Sequence, residues 1–190
     1  MSEYQDLKPI SANSVMRISK KESKLKFSNT IIYDYLDIEN DRTWKNYKEF
    51  LKIPSNYKTE LQLYWDNLQT ILDSEINKIN EEEVYLKVIH CTIQFRDKNH
   101  PYVQWIIEFE GKYVDGQNIY ENFVEDEILE YPIYSLYLFE KPLSVKKIDT
   151  SLKYKLGEEN RIVEYFGEQN DKLEGYEAIS IIVHTNMGKF

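Results

Sequence analysis

The spacing of the apolar residues changes once along this chain, and that change constrains the fold more than any single motif. From Leu61 to Ile79 they recur every three or four positions (Leu61, Tyr64, Trp65, Leu68, Ile71, Leu72, Ile76, Ile79), the stripe of an amphipathic helix. The spacing predicts a helix over about 56–79, roughly 35 Å long at ~1.5 Å per residue. Ahead of it, Trp44, Tyr47, Phe50 and Leu51 mark a short helix over about 41–52. Asp41 is its expected N-cap, Pro54 its stop, and Ser55 the expected cap of the longer helix. Before both lie β-branched and aromatic residues that read as short strands at 25–28 and 30–36.

From Glu83 onward the period is two. Residues 84–96 place Tyr85, Ile89, Cys91, Ile93 and Phe95 on one face and Val84, Leu86, Val88 and His90 on the other. The first half of that strand is therefore expected to be buried on both sides. After a turn at 97–101, Val103, Trp105, Ile107 and Phe109 alternate with polar residues. Asp115-Gly116 predicts a tight turn that makes 102–113 and 118–127 the arms of a hairpin. Further strands are expected at 133–139, 145–148, 152–156 and 176–184, with 161–166 open between a helical turn and a strand.

Short strands, two helices and then a run of strands predict an α+β fold. The expected architecture is a curved antiparallel β-sheet of five to seven strands. The long helix (about 56–79) and the short one (about 41–52) pack on one of its faces, against Trp105, Ile107 and Phe109. One domain over 1–190 is expected, with short strands in 1–40, helices in 41–80 and mainly antiparallel sheet in 83–190.

Charge bears on what such a fold does. The 190 residues carry 24 Lys+Arg against 33 Asp+Glu, a formal net charge of −9. Between Glu108 and Glu130 eight carboxylates face Lys112 alone. Like charges on neighbouring strands destabilise a sheet, so this cluster calls for solvent, a cation or a basic partner. Tyrosines crowd the same region and its neighbour (Tyr102, Tyr113, Tyr120, Tyr131, Tyr134, Tyr137), a residue type enriched in interface cores. The candidate partner-binding residues are Glu108, Glu110, Tyr113, Tyr120, Glu121, Glu125, Asp126 and Glu127.

The leading expectation is a non-catalytic cytoplasmic binding protein of the inhibitor, immunity or regulatory type. It presents an acidic, tyrosine-rich sheet surface to a basic protein partner. The alternative is a small-ligand-binding or enzymatic α+β domain with a Tyr/Glu-lined pocket under the sheet. A pocket of about 300–1,000 Å³ with convergent polar groups favours the second, and a flat acidic face the first.

Several chemistries lack their residues. The phosphate-cradling GxGxxG and GxxxxGK[ST] patterns do not occur, nor does the GxSxG of serine hydrolases. His90, His100 and His184 show no metal-ligand spacing. Cys91 is the single cysteine and reads as a core residue; His90 beside it points to the opposite strand face and cannot be its base. The sequence thus points away from catalysis and names no catalytic residue, metal or cofactor. Arg17, Lys20, Lys21, Lys24 and Lys26 form a basic stretch, but the overall charge disfavours nucleic acid. Its expected counterpart is the acidic region 108–130. No apolar run reaches membrane-span length, and Met1-Ser-Glu-Tyr-Gln-Asp has no apolar core behind it, so residence in the cytoplasm is expected.

Overall fold

The computed structural model describes residues 7–38 and 46–183. The chain opens with a long hairpin, β1 (Leu7–Lys21) and β2 (Lys24–Asp37), followed by α1 (Tyr47–Phe50) and α2 (Pro54–Ser74). Then come β3 (Ile76–Ile79), β4 (Glu82–Val84), β5 (Lys87–Phe95), β6 (Pro101–Lys112) and β7 (Gln117–Phe123). The last strands are β8 (Glu127–Ile128), β9 (Ile133–Phe139), β10 (Leu143–Asp149), β11 (Lys153–Gly157), β12 (Ile162–Gly167), β13 (Lys172–Leu173) and β14 (Tyr176–Val183). The fold is α+β, with one long helix and sheets that are largely antiparallel.

There are two main sheets. The larger has seven strands in the order β11-β12-β9-β1-β2-β6-β5, with β1 and β9 the parallel pair. The smaller has five, in the order β10-β14-β7-β3-β4, and β8 pairs with β13 in a short ribbon. The strands read at 25–28 and 30–36 are one continuous β2, and its partner β1 escaped the sequence reading because Ser, Asn and Lys interrupt its apolar alternation.

The expected hairpin between 102–113 and 118–127 does not exist. Strand β6 has both edges occupied, by β2 and β5, so it cannot also pair with β7. The turn at Asp115-Gly116, with Gly116 at φ +93°, instead carries the chain from the larger sheet to the smaller. Asn118, fully buried, braces this crossover. Its Oδ1 accepts from Val114 N at 2.9 Å and its Nδ2 donates to Val114 O at 2.9 Å.

Both helices begin differently from the expectation. Asn46 caps α1, its Oδ1 accepting from Glu49 N at 3.0 Å; Asp41 and Trp44 lie outside the described residues. Helix α2 starts at Pro54 itself, with extended Ile53 before it and no side-chain cap from Ser55. Proline is suited to the first helical position, where its missing N–H costs nothing. The helix ends at Ser74, not 79, because Glu75 turns extended. Ile79 is buried as a strand residue of β3 opposite Tyr120, and Ile76 is 48% exposed.

Residues 84–96 are not buried on both sides. A bulge at Ile89 shifts the register between Val88 and His90. Val84, Leu86 and Val88 therefore share the buried side with Cys91 and Ile93, while Tyr85 and Ile89 are exposed. One inserted residue swaps the faces, which a strict period of two cannot anticipate.

The core sits on one face of the seven-stranded sheet. Pairing registers place Met16, Ile18, Leu25, Phe27, Val103, Trp105, Ile107, Phe109, Tyr137, Phe139, Val163 and Tyr165 together there, and all except the half-buried Tyr137 are buried. Helix α2 covers one part of this face. Trp105 Nε1 donates to Tyr64 O at 3.2 Å, and the two rings meet edge-on at 6.0 Å. The five-stranded sheet covers another part, where Tyr120 packs on the stacked rings of Phe27 and Phe109 at 5.2 and 5.6 Å. The expected contact of α2 thus holds for Trp105, while Phe109 belongs to the contact between sheets. Burial of each such ring or branched chain contributes about 1.5–3 kcal/mol.

Candidate functional site

Between α2 and the smaller sheet a strip of the inner face stays uncovered, and a groove of about 500 Å³ lies over it. Its floor comes from three adjacent strands: Ala12 and Ser14 of β1, Asn29, Ile31 and Tyr33 of β2, and Ile133, Ser135 and Tyr137 of β9. Its roof is the segment 127–131. Leu129 anchors that roof. It is buried, its N–H donates to Asp171 O at 3.0 Å, and its carbonyl accepts from Asn170 N at 2.8 Å. Gly167 lets it sit close, because a Cβ there would lie 2.4 Å from Leu129 Cδ1.

The floor is polar where a sheet face is ordinarily apolar. Ser14 Oγ donates to Ser135 Oγ at 2.8 Å. The buried Oδ1 of Asn29 has no hydrogen-bond partner among the described residues. The hydroxyls of Tyr33 and Tyr131 are hydrogen-bonded to each other, and their rings meet edge-on at 5.8 Å. Burial raises the Tyr33 hydroxyl well above the ordinary phenol range, and burial raises Tyr131 in the same direction. Both tyrosines therefore remain neutral hydrogen-bonding groups at physiological pH. Glu127 and Glu130 stand exposed on the roof, and among the described residues no lysine or arginine lines the groove.

Tyr137 connects this groove to the interior. Its ring also lines a cavity of about 150 Å³ between the sheets, together with Tyr120, Asn122 and Glu177. Burial pushes the Glu177 carboxyl up to about 7, against the opposing effect of the hydrogen bond from Tyr137. Glu177 lies on the same face of β14 as buried Ile179 and Ile181, opposite Asn122, which is itself opposite Asn77. Beside this row Glu75 Oε2 accepts from Asn77 Nδ2 at 3.4 Å and Asn122 Nδ2 at 3.3 Å, and burial raises its carboxyl as well.

The residues singled out by sequence are scattered. Glu108 and Glu110 stand on the outer face of the seven-stranded sheet. Glu110 is paired with Lys24 and, at 3.2 Å, with Lys26, so the basic stretch does meet the acidic one. Tyr113 carries Lys20 Nζ over its ring at 4.6 Å. Tyr120 is a core residue that donates to Asn77 Oδ1 at 2.8 Å, not a surface tyrosine. Glu121 accepts from the Tyr176 hydroxyl at 3.1 Å. Glu125 is exposed, and Asp126 binds Gly175 N at 2.9 Å and Lys172 Nζ at 3.2 Å. Only Glu127 of that set lines the groove, where Tyr131 and Tyr137 from the wider tyrosine group join it.

Asn29, Ser14 and Ser135 were missed. The signal for Asn29 was present: Leu25, Phe27, Asn29, Ile31 and Tyr33 alternate on one face, with a single amide among apolar side chains. Cys91 is the core residue expected; burial pushes its thiol up to about 12, which removes thiolate chemistry at neutral pH. His90 is exposed on the other face, His100 Nδ1 is paired with Asp97 at 2.8 Å, and His184 lies outside the described residues.

No family model matches the chain, and no curated protein matches it. Among solved structures, native yeast LTA4 hydrolase aligns at a TM-score of 0.35 with 9% identity, over 95% of this chain and 30% of that one. An aminopeptidase N family protein from Idiomarina loihiensis aligns at 0.32 with 14% identity, over 88% of this chain and 29% of that one. The chain thus spans about 30% of the length of the structures it resembles.

Proposed function

We propose that this chain is a binding protein that takes a basic segment of a protein partner into the inner-face groove. The observation that carries the reading is the composition of that groove. Three tyrosines, two serines and two rim carboxylates surround about 500 Å³ with no cationic side chain among the described lining residues. Such a lining offers acceptors and ring faces and lacks the charge that would repel a lysine or arginine. This reading keeps the acidic, tyrosine-rich surface expected from sequence and moves it from the hairpin to the groove and its roof. A cytoplasmic setting belongs to the proposal and rests on the lone, buried Cys91.

A small-ligand-binding or enzymatic role is the second reading. It is favoured by the volume, which falls within the range of ordinary ligand sites, and by the raised carboxyl of Glu177 behind Tyr137.

The test is fluorescence anisotropy with a labelled unstructured peptide of alternating Gly with Lys and Arg, beside its Glu counterpart. The basic peptide is expected to bind more weakly as salt rises over the range where the Debye length shrinks to about 8 Å. Glu127→Lys with Glu130→Lys should weaken it about tenfold, given up to ~1 kcal/mol per exposed charge pair. Equal binding of the acidic peptide, or no effect of the double reversal, would overturn the proposal.

A further inference from the structure

We propose that the cavity between the sheets holds the ammonium group of a small primary alkylamine, with Glu177 as its counter-ion. Among the described residues Tyr137 is the one lining residue that cavity and groove share, so the site is independent of what the groove takes. The cavity walls have spent their donors and kept their acceptors. Tyr120 gives its hydroxyl to Asn77 Oδ1 at 2.8 Å, Tyr176 to Glu121 Oε1 at 3.1 Å, and Tyr137 to Glu177. Asn122 Nδ2 donates to Asn77 Oδ1 at 2.9 Å and to Glu75 Oε2 at 3.3 Å, which uses both of its N–H groups. On the acceptor side, a carboxylate can take about four hydrogen bonds, and Glu177 receives the one from Tyr137. Asn122 Oδ1 accepts no bond from the described residues. Neither side chain has an oxygen sealed from solvent without a partner, so Asn122 Oδ1 and the free oxygen of Glu177 keep accessible surface on residues that line the cavity.

Such walls fit a ligand that donates several hydrogen bonds, accepts none and carries positive charge. A primary ammonium is that group, a compact charge with three donors and no acceptor. An alcohol brings one donor and no charge, and a quaternary ammonium brings charge and no donor. A guanidinium spreads its charge over five donors in a rigid fork, more than one carboxylate and one amide oxygen can meet. Among the described residues no lysine or arginine lines the cavity, and Glu174 stands exposed at its edge. Leu152 and Leu173 offer apolar surface to the alkyl stem, and about 150 Å³ is space for a benzene-sized molecule.

Burial sets the pH dependence of the site. It pushes the Glu177 carboxyl up to about 7, so below that pH an entering ammonium must displace a proton. Tyr120, Tyr137 and Tyr165 face this carboxyl from three strands, and burial raises all three hydroxyls, which stay neutral at physiological pH. Glu174 lines the same cavity, Glu121 and Asp149 act on Tyr176, and Glu75 bonds to Asn122 with its own carboxyl raised. The ionised fraction of Glu177 rises about tenfold between pH 6 and pH 8, and the apparent affinity for an ammonium rises with it.

The experiment titrates propylammonium chloride into the full chain at pH 6 and pH 8, with 1-propanol and tetramethylammonium as controls. The Asn122 side-chain amide and the backbone signals of Thr150 and Glu177 are followed by NMR. Propylammonium is expected to shift these signals saturably and to bind about tenfold more tightly at pH 8 than at pH 6. Each control should be roughly tenfold or more weaker at pH 8, the order expected for losing a hydrogen bond to a charged group. Glu177→Gln keeps the shape of the side chain and removes its charge. It should weaken propylammonium by a similar factor and abolish the pH dependence, with an unchanged or raised urea midpoint verifying the fold. The N-acetyl methylamide of lysine, read at the same cavity signals, decides the source: equal binding assigns the ammonium to a lysine side chain of a protein, and binding of propylammonium alone assigns it to a free amine. If propanol or tetramethylammonium matches propylammonium, if the parent chain binds it equally at both pH values, or if the shifts miss the cavity, the ammonium assignment fails. The basic-segment reading of the groove then still stands or falls on its own peptide measurement.

Discussion

Tyr137 of the seven-stranded sheet donates its hydroxyl to Glu177 of the five-stranded sheet, joining the two layers at the point where the groove meets the interior. A carboxyl on a buried strand face with one hydrogen bond is poorly compensated when ionised. This contact makes the docking of the sheets pH-dependent in a defined direction.

Burial raises the Glu177 carboxyl to about 7 in the folded chain, from its ordinary 4.5, and raises that of Glu75 in the same direction. A raised carboxyl binds more protons in the folded state than in the unfolded state. Its stabilising contribution is therefore complete below about pH 4.5 and is lost as pH rises through about 7. For Glu177 the loss is expected to reach about 3 kcal/mol at most. Exposed carboxyls held low, such as Asp97 by the Asn99 N–H and Glu110 by Lys24, act in the opposite sense but at more acidic pH. Urea midpoints measured from pH 5 to pH 8 should fall with rising pH, and Glu177→Gln should flatten the profile. A midpoint that rises over this window in the parent chain contradicts the assignment.

Two buried tyrosines should respond oppositely to loss of a hydroxyl. Tyr165 is 1% exposed and its OH has no partner among the described residues, while its ring lies 4.8 Å from that of Tyr137. Tyr165→Phe keeps the packing and removes an unpaired polar group, so stability should be unchanged or rise by up to about 1 kcal/mol. Tyr120→Phe deletes the donor to Asn77 Oδ1 and should cost about 1 kcal/mol. Chemical denaturation of the pair decides it, and the reverse order would mean that the hydroxyl partners are misassigned.

The roof depends on Gly167. An added methyl would meet Leu129 Cδ1 at 2.4 Å and Ile133 Cγ1 at 2.7 Å, so Gly167→Ala must lift the roof or shift β9. The expected cost is about 1–3 kcal/mol. Hydrogen exchange at Leu129 N, which donates to Asp171 O, should accelerate. Unchanged protection at Leu129 would show that the roof does not rest on this contact.

Much of the architecture was legible from periodicity, and the failures have physical causes. The long helix was evident because Leu61, Tyr64, Trp65, Leu68 and Leu72 repeat at helical spacing. Its end was not, since Ile76 and Ile79 extend that spacing while belonging to β3. The bulge at Ile89 swapped faces in a strand that looked continuous. The partner of β6 was hidden because Asp115-Gly116 marks a turn without saying which sheet receives the chain. The acidic residues were visible as a cluster in sequence, yet β6, β7 and β8 distribute them over three sheets. The groove was visible only as an anomaly, Asn29 among the apolar residues of β2, and the cavity behind it only as Glu177 before Ile179 and Ile181, because their walls come from strands distant in sequence.

The central claim is that a basic segment docks on the inner face, under the 127–131 roof. A basic peptide carrying a nitroxide spin label at one end tests it directly, by paramagnetic broadening of the full chain's NMR signals. The account predicts selective broadening at Ser14, Ile31, Leu129 and Ser135, relieved by Glu127→Lys with Glu130→Lys. Broadening confined to Glu108 and Glu110 on the outer face or to Glu121 on the smaller sheet, with those groove signals untouched, would contradict it.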